Sequence, residues 1–285
     1  MLSRMRVLAL AFTLGACSST AETTPDGADT YVWDEGIDTS SPPETSPVDT
    51  GTGTDTGAGD TIADAADGKW PLLGTVSGSC GEIASQLDTK APSLDVDTLT
   101  FAPPQTYSRE TLSPPGRLVF DVANAGGSSA ESEIMSFELL HYCDGAELVK
   151  TETEISYAPP DDAGANTITD ILVSIAGKKV GVSVTRAYKP APMTMSDAEV
   201  QALLEKKLAG VNRSSVRVLA ADKWVKQILH VWVPSVDMLD ATKRVLPKVS
   251  ADLRADTIVL VTRSVGGGFI YCDPHPALGT ECPAL

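Results

Sequence analysis

Chemistry needs side chains that hold a metal, carry a proton or attack an electrophile. This chain of 285 residues offers three histidines and five cysteines for the purpose. His141 falls in a helical stretch, His230 in an apolar run and His275 in a loop between two cysteines. No Cys-x-x-Cys pair exists, so zinc ligation by the cysteines is a poor fit. Neither H-E-x-x-H nor the nucleophile elbow G-x-S-x-G occurs. The glycines at 266–268 lack the Lys-Ser/Thr of a phosphate loop and read as a bend. The stretch 124–129 (NAGGSS) precedes a helical pattern; such an end can bind an anion, but a plain capping loop explains it. What remains is a set of carboxylates and cations. Asp170 opens the stretch TDILVSIAGKKVGVSVTR (169–186), and Glu133, Glu152, Glu154, Arg186, Lys206 and Lys207 surround it in the chain. Each has a structural reading as well. Asp170 can start a strand by hydrogen-bonding its loop. Glu133 suits the first turn of a helix, where the macrodipole favours an acid. Glu152 with Glu154, and Lys206 with Lys207, can be solvated faces.

These groups sit in an exported chain. Arg4 and Arg6 precede the short apolar stretch from Val7 to Leu14, which is too short to span a bilayer. Residues 1–16 therefore read as a signal peptide, outside the fold. Leu14-Gly15-Ala16-Cys17 resembles a bacterial lipobox. The resemblance implies cleavage before Cys17, lipid on its thiol and new amino group, and attachment to a membrane. Ser18 resembles the pattern that sorts such proteins to the outer membrane, leaving the periplasmic or surface face open.

From Ser18 to Gly68 there are twelve acidic residues and no Lys or Arg, among many Thr, Gly, Pro and Ser. Such a composition buries too little apolar surface to offset its ordering entropy, so 17–68 is expected to be a disordered acidic tether. It contains no D-x-[DN]-x-[DN]-G calcium loop. The remainder carries 20 Lys plus Arg against 26 Asp plus Glu, a balance of −6. That lacks the basic footprint of a nucleic-acid binder and argues against nucleic acid as a partner. Outside the cell, the four remaining cysteines, Cys80, Cys143, Cys272 and Cys282, are expected to form two disulfides. Three connectivities are open. Cys272–Cys282 would close a short C-terminal loop and leave Cys80–Cys143 to tie the first segment to a helix.

The elements that must position the polar groups follow from hydrophobic period. Residues 69–116 read as an N-terminal extension packed on the core. It holds a short helix in 79–88, an edge strand at 93–101 and a Pro-rich extended loop. Residues 117–285 read as the main α/β domain. RLVFDV (117–122) suggests a strand. A helix is expected over 129–143, with Ser128 and Glu131 as its capping box and a stripe of Ile134, Phe137 and Leu140. ELVKTETEISYA (147–158) alternates as one strand, with Glu152 and Glu154 on one face. The hairpin follows, with strands at 169–176 and 179–187. Ser196 starts a helix that Gly210 stops. A strand at 224–234, a helix from Ser235, a strand at 257–264 and a last short strand after the glycine bend complete the order. The fold class expected is α/β (α+β), a mixed central sheet flanked by helices.

Helix, three-strand meander, helix, strand is an αβββαβ order, and the region 117–234 resembles the PD-(D/E)XK nuclease-like superfamily. The resemblance implies a Mg²⁺-dependent phosphodiester site with Asp170 as the strand-borne metal ligand and Glu133 as the helix carboxylate. It puts Ser183 and Thr185 where that family carries Glu and Lys, so the motif is degenerate. Glu154 could replace the missing carboxylate, and Lys206, Lys207 or Arg186 the missing cation; Arg186 could equally pair with Glu154. The expectation is a lipid-anchored protein whose nuclease-like domain binds an envelope ligand or protein without catalysis and without a cofactor beyond its lipid. The alternatives are a phosphodiesterase with a rearranged Mg²⁺ site and a structural envelope protein.

Overall fold

The computed structural model describes residues 73–122, 130–159, 167–190 and 192–272. Cys17, His275, Cys282, Ser128, the expected signal peptide and tether, and the loop 124–129 lie outside these residues.

Seven strands form one sheet: β1 (Gly74–Gly78), β2 (Ser93–Phe101), β3 (Glu147–Thr151), β4 (Ile171–Ile175), β5 (Lys178–Arg186), β6 (Lys226–Val233) and β7 (Ile258–Val265). Their order in space is β1-β2-β7-β6-β5-β4-β3. The inner four, β2, β7, β6 and β5, are parallel. The meander β3-β4-β5 and the pair β1-β2 are antiparallel. Every residue of β6 is buried, as the run KQILHVWV demands of a strand covered on both faces.

The helices are α1 (Ile83–Gln86), α2 (Pro114–Asp121), α3 (Ala130–Asp144), α4 (Asp197–Arg217), α5 (Val236–Val245) and α6 (Ala251–Arg254). Side chains alternate across the sheet and sort the core into two layers. Val180, Val182, Val184, Ile228, Trp232, Ile258 and Leu260 pack with Ile134, Phe137 and Leu140 of α3. Leu229, Val231, Val233, Val259 and Val261 pack instead with Val200, Leu204 and Leu208 of α4 and with α5. The result is an α/β sandwich whose elements from 130 to 233 run αβββαβ, as expected.

Several local expectations give way to stronger local physics. RLVFDV is the body of helix α2, because Ser113 caps it and Pro114 occupies a first-turn position that needs no amide donor. The boundary drawn at 116/117 therefore falls inside a helix. The strand at 93–101 is interior, because β1 covers one side of it and β7 the other. The helix expected to end at Gly210 runs on to Arg217. Its stripe continues through buried Val211 and Ser214, and the glycine's open side faces Thr167. The strand from 147 stops at Thr151, where Glu154 accepts hydrogen bonds from the Thr151 amide (2.9 Å) and hydroxyl (3.1 Å) and closes a 3-10 turn. Residues 268–271 form another 3-10 turn in place of a strand.

Helix α3 is buried over Glu131–Leu140, so burial extends beyond the apolar stripe to the polar residues. Its polar groups are used inside. The Trp232 indole donates to the Ser132 carbonyl (3.1 Å) and the Ser136 hydroxyl (2.9 Å). Glu138 accepts from the Ser113 amide (3.0 Å) and hydroxyl (2.6 Å), which puts a carboxylate at the start of α2. Cys80 and Cys143 are disulfide-bonded with Cα atoms 4.9 Å apart, and Cys272 is also disulfide-bonded.

Candidate functional site

The site builds from the β4/β5 register. Ile171 stands opposite Val182, so Asp170, one residue earlier, comes up beside Ser183 and Val184. Its Oδ2 accepts a hydrogen bond from the Val184 amide at 2.6 Å. Val182 and Val184 point to the α3 layer, so Ser183 and Thr185 point to the α4 layer. Both are nearly closed off, at 9% and 7% exposure. Lys207 lies on α4 between Leu204, Leu208 and Val211 of the buried stripe, and its ammonium acts on Asp170. Lys206, a residue earlier, is turned outward and exposed.

Burial pushes the Asp170 carboxyl above its ordinary range. The Lys207 charge, the Val184 amide and its own backbone amide oppose that rise. Beneath it lies a polar network that the sequence did not announce. Thr169 accepts from Gln227 Nε2 (2.6 Å), and its own hydroxyl donates to Ser214 Oγ (3.0 Å). The Thr169 amide donates to the Tyr157 hydroxyl at 2.8 Å. Gln227 Oε1 accepts from Ser215, whose hydroxyl accepts in turn from the Trp224 indole, both at 3.0 Å. The Arg217 guanidinium carbon stands 5.7 Å over the Tyr157 ring centroid, while its nitrogens donate to the Ala158 and Thr167 carbonyls. These are isolated Thr, Ser, Gln and Tyr residues on α4, on β6 and on the segments around Tyr157 and Thr169, with no pattern along the chain to connect them.

The other candidates go elsewhere. Glu133 is on α3, in the layer across the sheet from Ser183, Thr185 and Lys207, and buried at 8% exposure. Glu154 is exposed and engaged in capping, so the strand face it was to share with Glu152 does not form. Arg186, the alternative cation or partner for Glu154, shares the parity of Val182 and Val184 and donates to the Ile270 (3.3 Å) and Cys272 (3.4 Å) carbonyls, on the face away from Ser183 and Thr185.

Asp170 thus stands level with Ser183 in the register, accepts from the Val184 amide and feels the Lys207 charge. Among the described residues no group of three or more His, Cys, Asp or Glu side chains is arranged to hold a metal ion. Mg²⁺ requires several oxygen ligands in near-octahedral geometry, and this donor set does not fit it. The arrangement can anchor a strand end and offer a half-buried acid beside a cation. Among the described residues no helix is long and apolar enough to cross a membrane.

No family model matches the chain, and no solved structure matches it. It is similar to a Dictyostelium discoideum protein named AAC-rich mRNA clone AAC4 protein, with 41% identity over 170 residues. The match covers 56% of this chain and 24% of that protein, so the chain spans about a quarter of the relative's length. The relative's name states no activity.

Proposed function

We propose that this chain is an exported lipoprotein, held to the outer membrane through Cys17. Its folded domain keeps a nuclease-like scaffold for binding and has lost hydrolysis. The observation that carries the reading is the state of Asp170. In the position of a strand-borne metal ligand, its carboxylate is tied to the Val184 amide and biased by burial toward its neutral form. Ser183 and Thr185 supply neither the carboxylate nor the cation that the chemistry needs. The ligand is an envelope molecule or protein that engages the Asp170 end of the meander. The domain's charge of −6 argues against nucleic acid.

The Lys207 charge acting on Asp170 favours one second reading, a hydrolase with a rearranged site. Titration with Mn²⁺, followed by electron paramagnetic resonance, tests the first reading. The full chain and Asp170→Ala are expected to take up Mn²⁺ equally weakly. A stoichiometric site in the wild type that Asp170→Ala removes overturns it.

A further inference from the structure

Between β1 and β2 the chain makes a short excursion, Ser79–Leu87, that carries α1. Ile83 and Leu87, each 2% exposed, insert from it into the α3-side core. The disulfide Cys80–Cys143 ties it to the end of α3. The Ser79 amide donates to the Val96 carbonyl (3.1 Å), and the Val96 amide donates to the Ser79 hydroxyl (3.2 Å). Three carboxylates also lie against the excursion. The Ser79 and Cys80 amides act on Asp97 of β2 and favour its charged form. Asp144 of α3 accepts from the Ile83 amide at 3.0 Å. Asp95 of β2 accepts from Gln86 Nε2 at 2.8 Å. Asp97 is 2% and Asp95 7% exposed, and one oxygen of Asp97 has no hydrogen-bond partner.

The charges around these acids are acidic too. Asp97, Asp95 and Glu82 act on Asp144, Asp95 acts on Asp97, and Glu82 acts on Asp95. From β7 the residue opposite Asp97 is Thr262, which is neutral. Behind it His230 of β6, whose Nε2 meets Thr262 Oγ1 at 2.8 Å, is held neutral by burial. The nearest lysines serve the chain beyond the excursion: Lys178 pairs with Asp88, and Lys226 donates to the Thr89 and Ala91 carbonyls. Two buried carboxylates and the half-buried Asp144 thus act on one another beside the segment that carries Ile83 and Leu87.

We propose that Ser79–Leu87 is an acid-tightened latch on the β1 edge of the sheet. Protonation of Asp97 and Asp144 seats it; their ionisation drives Ile83 and Leu87 out of the core, with the disulfide keeping the segment attached. Burial pushes both carboxyls up to about 6, against the hydrogen bonds from the segment's amides. A released segment restores them to about 3.9, the ordinary aspartate value. The closed form therefore binds more protons than the open one. Its advantage is complete only below about pH 3.9 and is lost as the pH rises through about 6.

Hydrogen exchange on the full chain, expressed as protection relative to the intrinsic rate at each pH, tests the latch. Peptides spanning 81–88 should lose at least about tenfold in protection between pH 5 and pH 7.5, since each displaced unit of pKa is a tenfold bias. Peptides of β6 should not change. Asp144→Asn should flatten the dependence. If that variant folds poorly, Glu82→Gln, on an exposed side chain, should reduce it. Equal protection of 81–88 at the two pH values overturns the proposal, as does a loss shared equally by β6.

Discussion

The Asp170 carboxylate and the Val184 amide are joined by a 2.6 Å hydrogen bond that fastens the start of β4 to the middle of β5. The bond gives this acid a structural task in the position where the nuclease-like resemblance would give it a metal. It also predicts a difference between two substitutions. Asp170→Ala leaves the Val184 amide without its acceptor inside the fold and should lower stability by about 1–3 kcal/mol. Asp170→Asn keeps an acceptor and removes a charge that burial disfavours. The Asp170 carboxyl titrates above its ordinary range when folded, so the stability it contributes is full at low pH and declines as the pH rises through its folded value. Denaturant midpoints should therefore show Asp170→Asn gaining on the wild type from pH 4 to pH 8.

Gly116 offers a test of the α2 junction. A glycine-to-alanine change within a helix ordinarily stabilises by up to about 1 kcal/mol. Here a Cβ would stand 1.8 Å from Glu138 Oε1. That carboxylate is held by both polar groups of Ser113 and cannot step aside without releasing the cap. Gly116→Ala should thus lose about 1–3 kcal/mol in chemical denaturation, and Ser113→Ala about 1–2 kcal/mol.

His230 sets the acid limit. Burial lowers its pKa from 6.5 to about 3, whereas an unfolded chain protonates it near 6.5. Below pH 6.5 the unfolded state takes up the proton, so stability falls by about 1.4 kcal/mol per unit until the folded value is reached. His230→Leu, which also gives up the contact to Thr262, should start less stable at pH 7 and show a shallower decline between pH 6 and 4. Thermal melts across that range measure the slope.

The anchor has its own readout. Cys17→Ser in the full chain should move the protein from the membrane fraction to the soluble fraction. The wild-type amino-terminal peptide should begin at Cys17 and carry the mass of its acyl chains. An unmodified peptide that extends upstream of Cys17 contradicts the anchor.

Much of the sheet was legible in the sequence because its strands carry strong local signals. Alternation in 171–186 and the apolar run at 228–233, interrupted only by His230, each point to burial without reference to the rest of the chain. Ser196 as a cap fixed the start of α4 in the same way, and in the structure Glu199 completes a capping box with it. The misreadings share a cause: a local cue outweighed by tertiary contact or by a competing cap. Pro114 and Pro115 suggest an extended loop until Ser113 is recognised as the cap that makes them a first turn. Gly210 is a stop signal only where the apolar stripe also ends, and Val211 continues it. Thr151 and Glu154 break a clean alternation with a 3-10 turn. At the site, Asp170 was visible because it opens a strand, and Lys207 only as one of a lysine pair whose inward member the sequence does not single out. Glu133 was misassigned because sequence does not say on which face of the sheet a helix lies, and α3 covers the face away from Ser183 and Thr185. The network of Tyr157, Thr169, Ser214 and Gln227 joins α4, β6 and two connecting segments and has no signature in any one of them.

The central claim is that the scaffold has lost its hydrolytic chemistry, and turnover tests it most directly. The purified full chain and Asp170→Ala should be incubated with bis(p-nitrophenyl) phosphate in Mg²⁺ and in Mn²⁺, and p-nitrophenol release recorded. The account predicts no release above the metal-only rate for either protein. Metal-dependent release by the wild type that disappears in Asp170→Ala, with folding unchanged, contradicts it.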